Sequence, residues 1–394
     1  MTTKTFIISL PIITGSQERR WLRKSFSFGC SLQNAVMGGG WNRVLKMRAT
    51  PEWKEAREMP KSPERTQAFH DLRNRFRLSE NDFHADVALH RRASGCGSLL
   101  GVNECQKLAS RAWTSVERHM YQGGSPRFVS SRRGLHSLEG KSNRQGIIWK
   151  ANQKCFSFCG QTYRVRVDKH DDWLMRALQD PTDPQKSRKV KYCRIVRNIR
   201  KGKECFVLQL IAEGTSPLKH AYAGTDQRMA IDPGLGSLTY ATEDGTIAKV
   251  RIASNADTDQ RVIRRIQRAM ERSRHATNPD NYEAVDVVRH GKKKKSFKVK
   301  SGRLHWRFSK RYERLRAELA EILRLAAATR KREHGEVCNW LLGHAGHIIV
   351  EDNSFKAFQK GHYGKSIGRH APAAFYTQLT SKAESAGLQV TVVS

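Results

Sequence analysis

Hydrophobic and polar positions in the first third of the chain predict one strand followed by several helices. The apolar run at residues 6–13 is typical of a strand. Residues 16–121 then show apolar positions at helical spacing. Glycine-containing segments at residues 37–40 and 94–97 predict breaks between helices, and residues 62–64 predict a helix start with Pro in its first turn.

The pattern changes to short alternating runs over residues 125–214. Residues 163–167 alternate apolar and basic positions, which puts one face of a strand on a core and arginines on the other. Residues 190–211 contain two apolar runs around a Lys-Gly-Lys turn and predict a hairpin. Such basic strands suit a β-barrel or open sheet lying along a phosphate backbone, and a solvated strand face is an equally good interpretation.

The last third of the chain mixes strands and long helices. Residues 229–240 predict one buried strand, and a hairpin is predicted around residues 244–245. Residues 347–351 form an apolar run that ends in an acidic residue, and residues 388–393 predict one more strand.

A helix predicted to begin near Thr258 has two different faces. Its apolar positions are Val262, Ile266 and Met270. A basic stripe at helical spacing lies opposite, formed by Arg261, Arg265, Arg268 and Arg272. A lysine-rich segment follows and is predicted to be a loop, with Lys292, Lys293, Lys294 and Lys295.

Charge points to a polyanionic partner. The 394 residues include 72 Lys plus Arg against 37 Asp plus Glu, a formal net charge of +35. Such a surplus repels itself unless a polyanion is bound, and nucleic acid fits because each neutralised phosphate releases counterions. A merely soluble basic protein is one alternative, and a basic membrane-surface protein is a weaker one. No apolar run approaches the roughly 18 to 20 residues needed to span a bilayer. The eight cysteines suit a reducing cytoplasm, and Cys155 and Cys159 lack zinc-ligand spacing.

Two acidic residues stand where buried strands end or carry on into a turn. Asp232 lies between Ile231 and Pro233, and Glu351 follows Val350. A carboxylate in an apolar strand is costly unless it meets a cation, so the pair predicts a metal site. Phosphodiester hydrolysis with two metal ions needs shared carboxylates, and hard oxygen ligands favour Mg²⁺ or Mn²⁺ over zinc. Each acid alone is better explained as part of a turn or as a solvated strand end, and only the pair in this order favours a metal site.

Motifs around these acids resemble those of a known family. The first set is Ile231-Asp232-Pro233-Gly234 with Asp244-Gly245. The second set runs from residue 347 to 387 and includes Gly364-Lys365-Ser366-Ile367 and Phe375-Tyr376-Thr377-Gln378-Leu379. A third set, upstream, is Gly124-Ser125-Pro126-Arg127-Phe128, Ser137-Leu138-Glu139-Gly140-Lys141 and Gln145-Gly146-Ile147. The first two resemble the RuvC motifs of the TnpB family of transposon-associated RNA-guided endonucleases and of the related compact type V CRISPR effectors.

The resemblance is strongest over residues 112–394 and implies a multidomain α/β fold. It consists of a RuvC-type RNase H-like domain plus a β-barrel (wedge) domain with a helical recognition insert. The implied boundaries are residues 1–15 for the first barrel strand, 16–124 for the insert, 125–226 for the rest of the barrel and 227–394 for the nuclease domain.

The resemblance also implies partners and roles. A guide RNA would pair with one strand of a target DNA, in the prokaryotic cytoplasm near the nucleoid, while the protein holds the heteroduplex by shape and backbone. Asp232 and Glu351 would be catalytic and would bind Mg²⁺ or Mn²⁺. Candidate nucleic-acid contacts are Arg261, Arg265, Arg268, Arg272, Lys292, Lys293, Lys294, Lys295 and Lys365, and a solvated charged face is the alternative for each.

The sequence departs from the family at its end. Family members continue past the strand at residues 388–393 into a zinc-binding cysteine quartet and a helix with a third catalytic Asp, and the sequence to Ser394 contains neither. Asp352 does not replace that Asp, since adjacent strand residues point to opposite faces. Three hypotheses follow: an RNA-guided nuclease lacking its final segment, an RNA-guided binding or regulatory protein that does not cut, and a basic RNA-binding protein with a decayed nuclease domain. Oligomeric state stays open.

Overall fold

The chain has a mixed α/β fold in two compact units. One unit comprises Met1–Ile199 and Glu204–Pro217, and the other comprises Arg200–Lys203 and Leu218–Ser394; we call them unit 1 and unit 2. The computed structural model describes residues 4–95, 97–130, 132–183, 185–218, 227–256, 258–289, 292–302 and 304–393. The ends of the predicted domains at residues 1, 226 and 394 lie outside these ranges.

Unit 1 begins with a strand and five helices. The strand is β1, Thr5–Pro11. The helices are α1 Ser16–Arg48, α2 Pro51–Glu58, α3 Pro63–Arg75, α4 Glu80–Ala93 and α5 Val102–Met120. The Ser62 side chain accepts a hydrogen bond from the backbone of Arg65, so the predicted helix start is confirmed.

The predicted break at residues 37–40 is wrong, because α1 runs through all three glycines. Gly40 faces α4, where a Cβ atom would lie 2.7 Å from Cε1 and 3.0 Å from Cε2 of Phe83. Gly38 faces Phe128, and a Cβ there would lie 3.6 Å from its ring. At residue 40 glycine therefore permits close helix packing, a role that local sequence does not distinguish from helix breaking.

Among the described residues, seven further elements complete unit 1, which contains two β-sheets and a short helix in addition to the five helices. The four-stranded sheet has the order β1-β7-β6-β2, and the three-stranded sheet has the order β3-β4-β5. Their bounds are β2 Ser137–Glu139, β3 Ile148–Lys150, β4 Cys155–Phe158, β5 Gln161–Arg164, α6 Asp172–Leu178, β6 Val190–Arg200 and β7 Lys203–Glu213. The predicted hairpin is confirmed as β6 and β7.

The predicted β-barrel is not closed among the described residues. Its two sheets meet at a bridge between Ile12 and Val165, where the Ile13 amide donates to the Arg164 carbonyl at 2.9 Å. Within the described part of the chain, no strand pairing joins β2 to β3 at the other side. The predicted alternation is present, since Tyr163 and Val165 are buried whereas Arg164 is exposed.

Unit 2 is built on a five-stranded sheet with the order β10-β9-β8-β13-β14. The strands are β8 Arg228–Pro233, β9 Ser237–Thr242, β10 Ile247–Arg251, β13 His347–Glu351 and β14 Gln389–Val393. β9 is antiparallel to both of its neighbours, β8 and β10, whereas β13 is parallel to both β8 and β14. The single strand predicted over residues 229–240 is wrong, because it is divided into β8 and β9.

Glycine makes that division possible. The Gly234 amide donates to the Ser237 carbonyl at 2.9 Å, which closes a tight turn between β8 and β9. A Cβ atom on Gly234 would lie 2.6 Å from the same carbonyl oxygen. Any larger residue would push the two strands apart, so the turn depends on the missing side chain.

Between β10 and β14, the described part of the chain also forms a two-stranded hairpin and five α-helices. The hairpin consists of β11 Tyr282–Arg289 and β12 Lys292–Val299. The helices are α7 Gln260–Thr277, α8 Lys310–His344, α9 Phe355–Lys360, α10 Gly364–His370 and α11 Pro372–Ala386. No helix in the described ranges combines the length and the apolar character that a bilayer crossing needs.

One face of the unit 2 sheet carries the core. Met229, Ile231, Ile348 and Val350 on this face pack against buried residues of α8 and α11. The helix residues are Cys338, Leu341, Leu342, Phe375, Leu379 and Ala383. Because side chains alternate along a strand, the next residue after each of these apolar positions belongs to the opposite face.

The glycines of α1 give a matched test of this packing. We expect Gly40→Ala to lower the free energy of unfolding by about 1–3 kcal/mol, because the added methyl group overlaps the Phe83 ring. Urea unfolding followed by tryptophan fluorescence measures the change.

Gly39→Ala is the control for that substitution. A Cβ on Gly39 meets no atom within 4 Å. Alanine there should raise stability by about 0.5–1 kcal/mol, because it lowers the entropy lost on forming the helix. Equal effects at residues 39 and 40 would contradict the packing role of Gly40.

Candidate metal centre and nucleic-acid interface

Asp232 and Glu351 lie side by side at the carboxyl ends of two parallel strands. Ile231 in β8 is paired with Val350 in β13, and the two acids follow these residues directly. Matched positions on neighbouring strands carry their side chains on the same face, about 4.8 Å apart. Both carboxylates are exposed, and both lie on the face opposite the core. The expected cost of burying them is therefore absent.

The backbone beyond Glu351 also holds this edge in place. Asn353 Nδ2 donates a hydrogen bond to Glu351 Oε2 at 3.2 Å. The amide of Asp352 donates to the Val393 carbonyl at 2.7 Å, which extends the pairing with β14 by one residue. Glu351 is thus oriented by a side chain two residues away.

Tyr376 of α11 was not identified as a site residue from the sequence. Burial, and after it the negative charge of Asp232, raise the pKa of the Tyr376 hydroxyl well above its usual range. Its oxygen is buried, with no hydrogen-bond partner among the described residues. The phenol therefore keeps its proton near Asp232 at neutral pH. Its position within the second motif was the only sequence signal.

The carboxylate pair fits one hard divalent cation. Mg²⁺ is commonly held by one or two carboxylates, with water or substrate phosphates completing its octahedron. Asp232 and Glu351 provide two such ligands on one exposed face. Over the described residues, no group of three or more Asp, Glu, His or Cys side chains is close enough to hold a metal. Two ions sharing three carboxylates are thus not supported by these residues.

The four predicted arginines of α7 do form one surface. Arg261, Arg265, Arg268 and Arg272 are all exposed and line a shallow cavity of about 400 Å³. A fifth arginine, Arg264, which the sequence reasoning omitted, lines it as well. We call these five residues the arginine stripe.

The buried side of α7 differs from the prediction at two positions. Ile263 and Ile266 are buried, whereas Val262 and Met270 are only half-buried. The helix is therefore rotated slightly from the predicted orientation, which brings Arg264 to the edge of the stripe.

The predicted lysines occupy two other elements. Lys365 is exposed on α10 and lines a larger cavity, of about 700 Å³, to which Arg264 also contributes. The segment predicted as a loop is the strand β12, paired with β11. This prediction was wrong because residues 282–289 supply a matching partner strand. The side chains of Lys292, Lys293, Lys294 and Lys295 lie outside the described part of the structure.

Comparison with known proteins gives structural likeness only. No protein-family profile matches the chain, and no curated protein matches it. A solved Cas12f1-sgRNA-target DNA complex is similar at 12% identity and a TM-score of 0.41, covering 100% of this chain and 90% of that chain. A CRISPR-Cas12f ternary complex is similar at 10% identity and a TM-score of 0.26, covering 96% and 75%. Likenesses this distant do not assign a function.

Metal binding tests the carboxylate pair directly. We expect Asp232→Asn and Glu351→Gln each to weaken Mn²⁺ binding about tenfold or more, because each removes one of two charged ligands. Electron paramagnetic resonance of free Mn²⁺ measures the affinity without any nucleic acid.

Glu243→Gln is the matched control for this measurement. Glu243 is an exposed carboxylate beyond β9, and it forms an ion pair with Arg228 at the opposite end of β8. Its loss should change Mn²⁺ affinity less than twofold. If all three variants lost Mn²⁺ affinity equally, Mn²⁺ binding would depend only on the overall negative charge, and the carboxylate pair would not be a metal site.

Proposed function

We propose that this chain is an RNA-guided DNA-binding protein of the TnpB type, with a RuvC-like endonuclease domain in unit 2. The observation that carries the proposal is the adjacency of Asp232 and Glu351 on parallel strands. The strand order β10-β9-β8-β13-β14 supports it, since three antiparallel strands precede a helical stretch and two parallel strands, as expected for an RNase H-like fold.

The proposed chemistry is metal-dependent phosphodiester hydrolysis. Asp232 and Glu351 would hold a Mg²⁺ or Mn²⁺ ion, which would supply Lewis-acid chemistry at a phosphodiester. Asn353 orients Glu351 through its hydrogen bond. Tyr376 stays protonated, so it adds no further negative charge where a phosphate approaches.

The proposed partners are a guide RNA and a target DNA. The arginine stripe supports binding to a phosphate backbone, because five guanidinium groups on successive turns of one helix match repeated anionic charge. The net charge of +35 supports a large polyanionic partner. In unit 1, we assign the five-helix segment to a recognition insert and the two β-sheets to a wedge-like domain.

A second candidate is a nuclease-inactive RNA-guided binding or regulatory protein. The observation that favours it is the number of carboxylates: the described residues bring two together, and two-metal hydrolysis uses more. The arginine stripe serves both candidates equally, so binding alone does not separate them.

A cleavage assay decides between the two. RNA that copurifies with the chain is sequenced, and a DNA carrying the matching strand is synthesised. We expect Mg²⁺-dependent cutting of this DNA. Asp232→Ala should cut at least about a hundredfold more slowly, because removing one preorganised polar group from an active site lowers the rate by about 10²–10³.

Two outcomes would count against the nuclease. Tight, matched binding with no cutting in Mg²⁺ or Mn²⁺ supports the inactive binder. Cutting that persists in Asp232→Ala points to a contaminating nuclease. The variant Glu243→Gln, which keeps the carboxylate pair intact, should cut like the unaltered chain.

Salt dependence tests the arginine stripe. We expect the paired substitution Arg265→Gln with Arg268→Gln to reduce the slope of log affinity against log salt concentration by about 1.8 for duplex DNA, because two phosphate contacts are lost. Fluorescence anisotropy across a salt series measures the slope.

Arg332→Gln provides the comparison for that variant. Arg332 lies on α8, with 68% of its side chain exposed, and it pairs with Glu336 within the same helix. This substitution removes one positive charge outside the stripe. The slope of log affinity against log salt concentration should therefore change by well under about 0.9, the value for one phosphate contact. If the salt dependence of DNA affinity changed by the same amount per charge removed in both variants, the arginine stripe of α7 would have no special role in DNA binding.

A further inference from the structure

A cavity between three helices of unit 2 shares Arg264 with the arginine stripe and is lined by neither acid of the carboxylate pair. It has a volume of about 700 Å³ and lies between α7, α8 and α10. Pockets for small ligands and cofactors fall within about 300–1,000 Å³. The cavity is therefore large enough for one nucleotide, with a base, a sugar and a phosphate.

The cavity combines a cationic rim with an apolar floor. Within the described part of the chain, four cations line it, Arg264, Arg330, Lys365 and Arg369, and we call Arg264, Lys365 and Arg369 its rim. Its apolar lining residues include Ile263, Leu323, Ala326 and Ala327, which we call its floor. No Asp or Glu is present among the described residues that line it. The rim therefore favours an anionic group of a ligand, while the floor favours a flat apolar group of the same ligand.

Hydrogen bonds fix the wall formed by α10. Arg330 Nη1 donates to the carbonyl oxygens of Gly368 at 3.1 Å and Arg369 at 3.0 Å. The imidazole of His334, buried in α8, contacts the His370 carbonyl at 2.9 Å through Nε2. These contacts tie the end of α10 to α8, so the cavity is largely formed before a ligand enters.

One end of the cavity lies against the turn that follows Asp232. His370 lines the cavity, and a Cβ atom on Gly236 would lie 3.0 Å from its imidazole ring. The His370 Nδ1 atom lies 3.1 Å from the Ile252 carbonyl, which anchors the ring beside the sheet. Gly236 is four residues beyond Asp232. A strand held in the cavity would thus pass next to the β8–β9 turn.

We propose that this cavity binds one unpaired nucleotide of a nucleic-acid strand. The phosphate contacts Arg264 and Lys365, and the base lies on Ile263, Leu323 and Ala327. An unpaired base is specified because duplex bases are stacked and offer only groove edges and phosphates, which do not use an apolar floor. The inference rests on the proposed nucleic-acid-binding function and adds a specific subsite to it.

Two kinds of substitution separate the rim from the floor. Lys365→Gln removes one rim charge, and Ala327→Met fills the floor without changing charge. The probe is a fluorescein-labelled 12-nucleotide oligo(dT), with a duplex of the same length as comparison. Binding is measured by anisotropy in EDTA, so the result does not depend on the carboxylates or on cleavage.

We expect Lys365→Gln to weaken oligo(dT) binding about three- to tenfold at low salt and to reduce the salt slope by about 0.7, one phosphate contact of a single strand. Ala327→Met should weaken oligo(dT) binding at least about threefold, with the salt slope unchanged, because base contact is lost. Duplex binding should not respond to Ala327→Met. Arg332→Gln, outside the cavity, should change oligo(dT) binding less than twofold.

Unchanged oligo(dT) binding by Ala327→Met would overturn the proposal, whatever the effect of Lys365→Gln, because charge alone would then explain binding. Equal weakening of single strand and duplex by Ala327→Met would overturn it as well. Both Ala327→Met and Lys365→Gln change exposed helix positions, so folding should be preserved, and circular dichroism confirms this. Oligo(U) run beside oligo(dT) identifies whether the bound strand is RNA or DNA, and tighter binding of either supports the subsite.

Discussion

The parallel pairing of β8 with β13 is the constraint on which the candidate site depends. Residues far apart in sequence, Ile231 and Val350, become neighbours and bury their side chains in one core. Since side chains alternate, that burial forces Asp232 and Glu351 onto the exposed face at matching positions. A slip of one residue in register would bury one acid and separate the two. The hydrophobic core of unit 2 and the carboxylate pair are therefore set by the same hydrogen bonds.

The arginine stripe differs in its surroundings from many other arginines of the chain. Several arginines of unit 1 are held by acids: Arg43 contacts Asp86 at 2.7 Å, and Arg111 and Arg194 both contact Glu139 at 3.3 Å. By contrast, no acid among the described residues lines the cavity of the arginine stripe. Like charges on one helix face destabilise it by a few tenths of a kcal/mol per pair, about 0.2–0.5 kcal/mol. Such a surface is stabilised by a polyanion and not by the protein itself.

The sequence allowed the strand end at Glu351 to be predicted, because an apolar run followed by an acid is a local pattern, whereas β8 ends at Pro233 inside a segment that was predicted as one strand. It also allowed four of the five stripe arginines to be predicted. It did not reveal that Gly40 lies inside a helix, because the reason is contact with Phe83 in another helix. The pairing of residues 282–289 with 292–299 was missed for a related reason, since lysine repeats mask the strand pattern. Tyr376 required the folded chain, because only tertiary packing brings its hydroxyl near Asp232.

Exposure changes the physical argument for a metal. If both acids were buried, desolvation alone would demand a cation. In the structure both are exposed, so that demand is absent and the case depends on their adjacency. Two unit charges about 5 Å apart repel by about 1 kcal/mol in water and by about 3 kcal/mol at an effective dielectric constant of 20. A nucleic-acid backbone that covers this face excludes water, adds its own negative charge and so increases the repulsion. Under the proposed function, a divalent cation held by Asp232 and Glu351 would remove this repulsion, and metal binding would then be coupled to nucleic-acid binding at this edge of the sheet.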